Sequence, residues 1–331
     1  MVKRIAIHNF RCFEHFVLDG LARVNLFGGP NNCGKTALLE AVYLGEKTDK
    51  DKVSDLFIFR NEKWSDLKTN SNPFRDLFAE PKKEILVELD GASQVMGFDE
   101  NKTELILKDP NSGQLGVFKE FSGEVSLRIA KAVEVFDWQH HAIVFQPSQY
   151  KSIQYAYFNH FVQDETEGNA DAYLRAFQSI DSRIKSVRSK GNDRRIQVEL
   201  EGQKGLFPLS VLGDAVNRIA CFIGSLLRGS TRMLLIDEIE NGLHFTKQEE
   251  FWTILFRLAI EHDVQILANT HSLEMIRAYN AAIQKNGWAS EAAYFELYRD
   301  SESGAIEAER LDAELLDYRL QMGRHLRGEA S

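Results

Sequence analysis

Cysteine and proline are scarce in this chain of 331 residues, which has three cysteines (Cys12, Cys33, Cys221) and six prolines. The cysteines show no metal-ligand spacing, and three of them cannot close a disulfide framework; both points fit a reducing, cytoplasmic setting. So few prolines, none gathered into a Pro/Gly-rich linker, leave no seam that divides the chain into domains. No apolar run approaches the ~18 residues that a membrane span needs, and the opening MVKRIAIHNF turns polar too soon for a secretory signal. A cationic excess is also missing. Lys and Arg number 40 against 49 Asp and Glu, a formal net charge of −9. That balance argues against a surface coated everywhere with nucleic acid, while a local basic groove stays compatible with it. The remaining composition, 44% hydrophobic and 27% charged, excludes a disordered tail or a collagen-like chain.

What is present is patterned. Residues 4–10 (RIAIHNF), 14–18 (EHFVL) and 22–27 (ARVNLF) read as strands, and 35–44 (KTALLEAVYL) as a helix. Residues 46–81 carry KTDKDK and KTNSNP and read as an exposed excursion with room for one short helix. From 84 to 145, EILVEL, ELILK, VSLRIA and HAIVF alternate with turn chemistry, which predicts an antiparallel layer. A helical arm is expected over 152–190, then a two-strand element, RIQVELEG and QKGLFPL. The last third predicts helices near 212–227, 246–261 and 272–285 between strands 232–236, 264–268 and 292–298. That alternation implies a parallel sheet with crossover helices. The expected fold is one α/β domain over 1–331, with 46–145 as excursion plus antiparallel strands, 150–192 as a helical insertion, and 193–331 as the half carrying the later motifs.

Gly29-Pro30-Asn31-Asn32-Cys33-Gly34-Lys35-Thr36 matches GxxxxGK[ST] at every fixed position, after the VNLF strand and before the KTALLEAV helix. Glycines let consecutive backbone N–H groups curl inward as an anion nest, and the helix adds its positive N-terminal end. Lys35 then reaches the β- and γ-phosphates of ATP, and the Thr36 hydroxyl ligates Mg2+. Cys33 is either a small residue tolerated in the loop or a redox-sensitive thiol, and alkylation there would block nucleotide sterically.

Residues 233–238 (MLLIDE) form an apolar strand ending in two acids, which is where a parallel sheet delivers its site. Asp237 is the candidate Mg2+ ligand, and Glu238 the general base that polarises the attacking water. The alternative is a strand that merely ends in acids at the surface. Glu240–His244 follow and have the character of a loop at a subunit contact. The run VQILANT leads to His271, placed either to meet the γ-phosphate or simply to be solvated. Leu209–Asp214 precede a helix; Ser210 and Gly213 offer a hydroxyl and backbone amides there, which is also ordinary capping chemistry.

In this order the motifs resemble the ABC-type ATPase head, within it the OLD-like/SMC-like branch, and more narrowly its stand-alone bacterial AAA-type members. The residues that carry the resemblance are Ile7-His8-Asn9-Phe10-Arg11-Cys12-Phe13 against I-x-N-F-R-x-F, the loop G-P-N-N-x-G-K-T, and the LLEA that follows. Asp237 to His244 match D-E-x-E-N-G-L-H, with Ile239 where proline is frequent, and Ile180–Ile184 (IDSRI) add to the match. The resemblance covers 1–45 and 180–275 well and the interval poorly. It implies a P-loop NTPase of ABC type, with Leu209–Asp214 as signature loop and His271 as switch histidine. It also implies a glutamine that senses nucleotide and metal after a middle strand, for which Gln146 in HAIVFQPSQ is the candidate. Two ATP molecules would lie between the subunits of a homodimer or higher homo-oligomer, so that Ser210, Gly213 and Asp214 act in trans on ATP held by Lys35 of the other subunit.

The interval 46–205 is too short for an SMC-type coiled-coil arm and lacks heptads. The stretch after His271 is enough for a last strand and helix, not for a TOPRIM nuclease. The resemblance therefore implies an ATPase that serves as sensor or switch for a separately encoded effector, a nuclease above all, in bacterial anti-phage defence. Alternatives are a non-turnover scaffold using ATP as structural glue, a DNA-repair-type SMC-like ATPase, and a transporter ATPase. The degenerate signature and the Asn-Phe-Arg opening stand against the last. Segment 183–195 holds Arg183, Lys185, Arg188, Lys190, Arg194 and Arg195 against Asp193 alone. Read as a helix it has a mixed face, because Val187 interrupts the basic positions; a solvated end and a phosphate- or partner-docking patch both stay open, as does nucleic acid as a partner. Trp64 in the charged excursion is either a docking residue or a core anchor.

Overall fold

Two short antiparallel strands open the chain, β1 (Arg4–Phe10) and β2 (Phe13–Asp19), in register from Arg4 opposite Asp19 to Phe10 opposite Phe13. The computed structural model describes residues 1–46, 77–80, 83–99, 104–108, 115–118, 142–148, 170–190, 195–227 and 229–322, with Leu56 and scattered positions between 161 and 168. β3 (Val24–Gly28) leads into α1 (Lys35–Gly45), and β4 (Ile85–Leu89), β5 (Ala92–Asp99), β6 (Glu104–Lys108) and β7 (Leu115–Phe118) follow. Next come β8 (Ile143–Gln146), α2 (Ala170–Ile180), β9 (Ile184–Lys190), β10 (Arg195–Leu200) and β11 (Leu206–Pro208). Helix and strand then alternate as α3 (Asp214–Leu227), β12 (Met233–Ile236), α4 (Gln248–Glu261), β13 (Gln265–Asn269), α5 (Leu273–Asn286) and β14 (Ala292–Arg299), with β15 (Ile306–Leu311) and α6 (Ala313–Gln321) last.

The core sheet runs β15-β14-β3-β13-β12-β8 and is parallel except for β15 at its edge. Every residue of β3, β12 and β13 is buried, as expected of parallel strands covered on both faces. One face carries α3 to α6 over Leu26, Leu234, Ile236 and Ile266. The other packs α1 over Phe27, Leu235 and Leu267, and beyond α1 lies the antiparallel sheet β2-β1-β4-β5-β6-β7. α1 is thus a middle layer. Ala37 through Leu44 are all buried, which accounts for a helix sequence without a polar face. The charged residue in that run is Glu40, and Arg11 Nε lies 2.7 Å from its Oε2. The Asn-Phe-Arg opening and the LLEA stretch, distant in sequence, therefore meet in one buried ion pair. Asn9 secures the same corner, its Nδ2 donating to the Glu80 and Lys83 carbonyls at 2.8 Å each.

The alternation in the last third and the antiparallel layer are as expected, and three details differ. HAIVF is not part of the antiparallel layer: β8 pairs parallel with β12, from Ile143 opposite Met233 to Gln146 opposite Ile236. All four β8 residues are buried, and an apolar run of that kind does not reveal its neighbour's direction. The antiparallel layer contains instead β5 and β7, which the reading of 84–145 passed over. The helical arm ends at Ile180, and Ile184–Lys190 is a strand of a third sheet, β11-β10-β9. Its buried residues Ile184 and Val187 stand three apart because the β9–β10 register slips between Glu199 and Leu200. That bulge imitates helical spacing. The VSLRIA strand, most of 46–81 with its short helix and Trp64, and Arg194 lie outside the described residues.

Candidate nucleotide site

Strand tips build the site. β3 stops at Gly28, and the loop from Gly29 to Gly34 folds over its end before α1 starts at Lys35. Gly29 (φ +124°) admits no side chain, since a Cβ there would sit 2.1 Å from the Leu297 carbonyl oxygen. Gly34 has no side chain with which to cap α1, and Lys35 and Thr36 of the first turn line the cleft, so the positive end of the helix faces the space an anion would take. Lys35 Nζ donates to the Gly29 and Pro30 carbonyls, each at 2.7 Å. Cys33 Sγ donates to the Pro30 carbonyl at 2.9 Å, and burial pushes its thiol pKa up. Cys33 is therefore a packing residue and not a reactive thiolate.

Beside the loop, β12 delivers Asp237. Its Oδ1 accepts from the Thr36 hydroxyl at 2.8 Å and from Asn269 Nδ2 at 2.7 Å. Asn269 ends β13, and its own Oδ1 accepts the Glu238 N–H at 2.7 Å. Glu238 is thereby held in the left-handed backbone region at φ +47°, an uncommon conformation for a residue with a side chain and one that clusters at functional sites. Asn241 Nδ2 donates to Glu238 Oε2 at 2.6 Å. Glu240 accepts the His271 N–H at 3.0 Å and stands 3.4 Å from His271 Nδ1.

A cleft of about 960 Å³ brings together Asn31, Asn32, Gly34, Lys35, Thr36, Asp237, Glu238 and His271. Gly29, Pro30 and Cys33 belong to the same loop through the Lys35 and Cys33 bonds. Gln146 is not brought in. Phe145 faces the α1 side, so alternation turns Gln146 toward α3, where its Nε2 donates to Ser225 Oγ at 3.1 Å; Pro147 and Ser148 line the cleft in its place. Ser210 and Gly213 do not line it either. They sit on a 3-10 turn, Leu209–Leu212, closed by the Gly213 N–H donating to the Ser210 carbonyl at 3.1 Å with Gly213 at φ +102°. The Asp214 side chain lies outside the described residues.

Two residues that sequence reasoning passed over complete the arrangement. Asn269 is one; its signal was a polar residue closing the apolar run VQILA. Arg218 of α3 is the other, an arginine inside the apolar helix DAVNRIACFIGSLL. It is buried, and it donates from Nη2 to the Asp237 carbonyl at 2.6 Å and from Nη1 to the Asn241 carbonyl at 3.0 Å. The helix that follows the signature turn thus grips the backbone on both sides of Glu238. In the basic segment, Arg183 pairs with Asp181 at 2.6 Å and Lys185 with Glu201 at 3.7 Å. Part of that segment's charge is therefore neutralised locally, on a strand and the turns beside it and not on a helix.

A family model described as an AAA domain, with reference to an AbiEii toxin and a Type IV TA system, matches residues 24–277. A Helicobacter pylori protein named "ATP/GTP phosphatase" is 22% identical over 361 aligned positions, covering 91% of this chain and 94% of that protein. Among solved structures, the SMC head domain from Thermotoga maritima is 14% identical with a TM-score of 0.50, covering 94% of this chain and 99% of the other. The Smc head domain bound to the C-terminal domain of ScpA derived from Pyrococcus furiosus is 13% identical, also at 0.50, covering 98% and 99%. The fold is that of the SMC head, an ABC-type P-loop NTPase.

Proposed function

The chain belongs to that AAA-domain family and is an ATPase, and on this premise we propose that it works as an Mg2+-dependent, dimeric switch for a separately encoded effector. The observation that carries the reading is the convergence on one oxygen of Asp237 of the Thr36 hydroxyl and the Asn269 amide, which also fixes Glu238. Hydroxyl and carboxylate oxygens suit a small hard cation such as Mg2+, which keeps most of its waters and takes few protein ligands. When bound, Mg2+ supplies positive charge to the phosphate oxygens of ATP. Lys35 and the α1 N-terminus bind those phosphates. Glu238, oriented by Asn269 and Asn241, aligns the attacking water and receives its proton on a carboxylate oxygen. His271, steadied by Glu240, meets the γ-phosphate.

The signature turn serves the other subunit. Ser210 and Gly213 lie off the cleft of their own chain, and the exposed Val211 and Phe245 are apolar groups that a second copy would cover. ATP closes the pair, and hydrolysis opens it. The likeness to the OLD-like branch and the family description's reference to a toxin support an effector, a nuclease first among them, in bacterial anti-phage defence. A cytoplasmic setting belongs to the same proposal; no helix among the described residues is long and apolar enough to cross a membrane. The test is Glu238→Gln. It should bind ATP, lose turnover by ~100-fold or more, and accumulate as a dimer by light scattering. A protein that stays monomeric at saturating ATP would overturn the dimeric switch.

A further inference from the structure

Under the root of the phosphate loop lies an acid that the phosphate chemistry does not use. Glu296 on β14 is in register with Gly28 on β3. A Cβ on Gly28 would sit 1.8 Å from the Tyr294 hydroxyl and 3.0 Å from Glu296 Oε2, so the loop's root rests directly on these two side chains. Tyr294 donates its hydroxyl to Glu296 Oε2. The other oxygen, Oε1, is buried and meets no hydrogen-bond partner among the described residues, and the residue is 6% exposed. An ionised carboxylate left half-unpartnered away from water is costly, so the balance of its surroundings decides its state.

Among those surroundings burial outweighs the rest. Burial pushes the Glu296 pKa up to about 7, against the Tyr294 hydroxyl bond, Lys35 and Arg319 of α6, which favour the ionised form; Glu309, opposite on β15, opposes it. Tyr294 and Cys33 stay neutral, their own pKa values raised. Arg319 is already held by Glu309 through two bonds at 2.8 and 2.5 Å. Lys35 is different, because its ammonium rests on loop carbonyls and is the cation that phosphate would draw away.

We propose that Glu296 is a proton-coupled positioning group for the phosphate loop, giving up its proton more readily while Lys35 rests in the free loop and holding or taking up a proton when Lys35 turns to nucleotide phosphates. The inference rests on the reading that Lys35 binds phosphate. Both the arriving phosphate charge and the loss of Lys35 raise the Glu296 pKa in the complex. Affinity is therefore full at pH values under 7 and falls as pH rises through it. A rise of one unit in the bound state corresponds to a loss of about tenfold.

The experiment is a fluorescence titration with ATP and Mg2+ between pH 6 and 8.5 on wild type, Glu296→Gln and Tyr294→Phe. Wild-type Kd should rise about five- to tenfold more across the range than that of Glu296→Gln, which carries only the ligand's own titration. Tyr294→Phe removes a bond that favours the ionised form and should move the wild-type midpoint to higher pH. Calorimetry of wild type near pH 7.5, in two buffers of different ionisation enthalpy, should show net proton uptake, and this arm needs no variant to fold. Superimposed pH profiles for wild type and Glu296→Gln, or zero uptake, would overturn the inference while leaving the ATPase intact. Failure of wild type to bind ATP at any pH would overturn the Lys35 reading together with it.

Discussion

The cleft and the signature turn stand in the same chain, yet they are finished to different degrees. In the cleft, Asp237, Asn269, Glu238 and Asn241 form a continuous bonded chain, with Arg218 behind it. At the turn, Ser210 and Val211 are exposed, and the Gly213 N–H closes only onto the Ser210 carbonyl. On the proposed function, the contrast separates two kinds of group. Those proposed to hold the phosphates and the water are already bonded to one another inside one chain, so they would align without reorganisation when ATP arrives. Those proposed on the turn would be aligned only when a second surface meets them. Arg218 joins the two regions, because it sits on the helix that follows the turn and holds the backbone around Glu238.

The comparison can be broken most directly at Ser210. Ser210→Arg should leave ATP binding unchanged and cut turnover by ~100-fold or more, measured as phosphate release. Lys35→Ala should abolish binding and turnover together. Mixing the two inactive proteins should restore turnover, because one working site forms in each mixed dimer; a mixture as inactive as its parts would place the turn outside catalysis. Asn269→Ala comes next, with turnover reduced ~10–100-fold as expected for a residue that orients a ligand-bearing carboxylate. For Arg218→Met, thermal and denaturant melts should show a loss of ~2–4 kcal/mol, since two carbonyls are left without their charged donor. Glu296 gives a smaller, pH-dependent effect. Its carboxyl titrates near 4.5 in the unfolded chain and about 7 in the folded one, so wild type should lose stability relative to Glu296→Gln as pH rises through that window, and the difference should level off at higher pH. The smallest effect is expected at Lys83→Ala, which removes an exposed pair with Glu80; its melting temperature should match that of wild type within the scatter of replicate melts, since solvent screens such a pair.

Sequence conveyed the parts of the site whose chemistry demands a spacing, and less of what supports them. The phosphate loop and the Asp237–Glu238 pair were legible because glycines, a lysine and a strand ending in acids have few other reasons to occur in that order. Asn269 and Arg218 were not, since a single polar residue at a strand end or in a helix carries no spacing signal of its own. Gln146 misled for a related reason. It stands at the right strand tip, but alternation along β8 turns it toward Ser225. The parallel core was legible from the alternation of helix and strand, whereas β8 was assigned to the wrong sheet because four buried residues look alike in either direction. β9 was read as helix, and the bulge that spaces its buried Ile184 and Val187 three apart removes the alternation that would mark a strand.

The burial of α1 between two sheets bears on how long the phosphate site lasts. Its amide hydrogens have no local route to solvent, since freeing any of Ala37 to Leu44 means parting the core sheet from the antiparallel layer. Under hydrogen exchange this helix should take up deuterium only at the pace of global unfolding, while the signature turn exchanges within its own rapid fluctuations. Nucleotide added in the absence of a partner surface should then leave the α1 rates tied to overall stability. The footing of the loop, on this clock, lives as long as the fold itself.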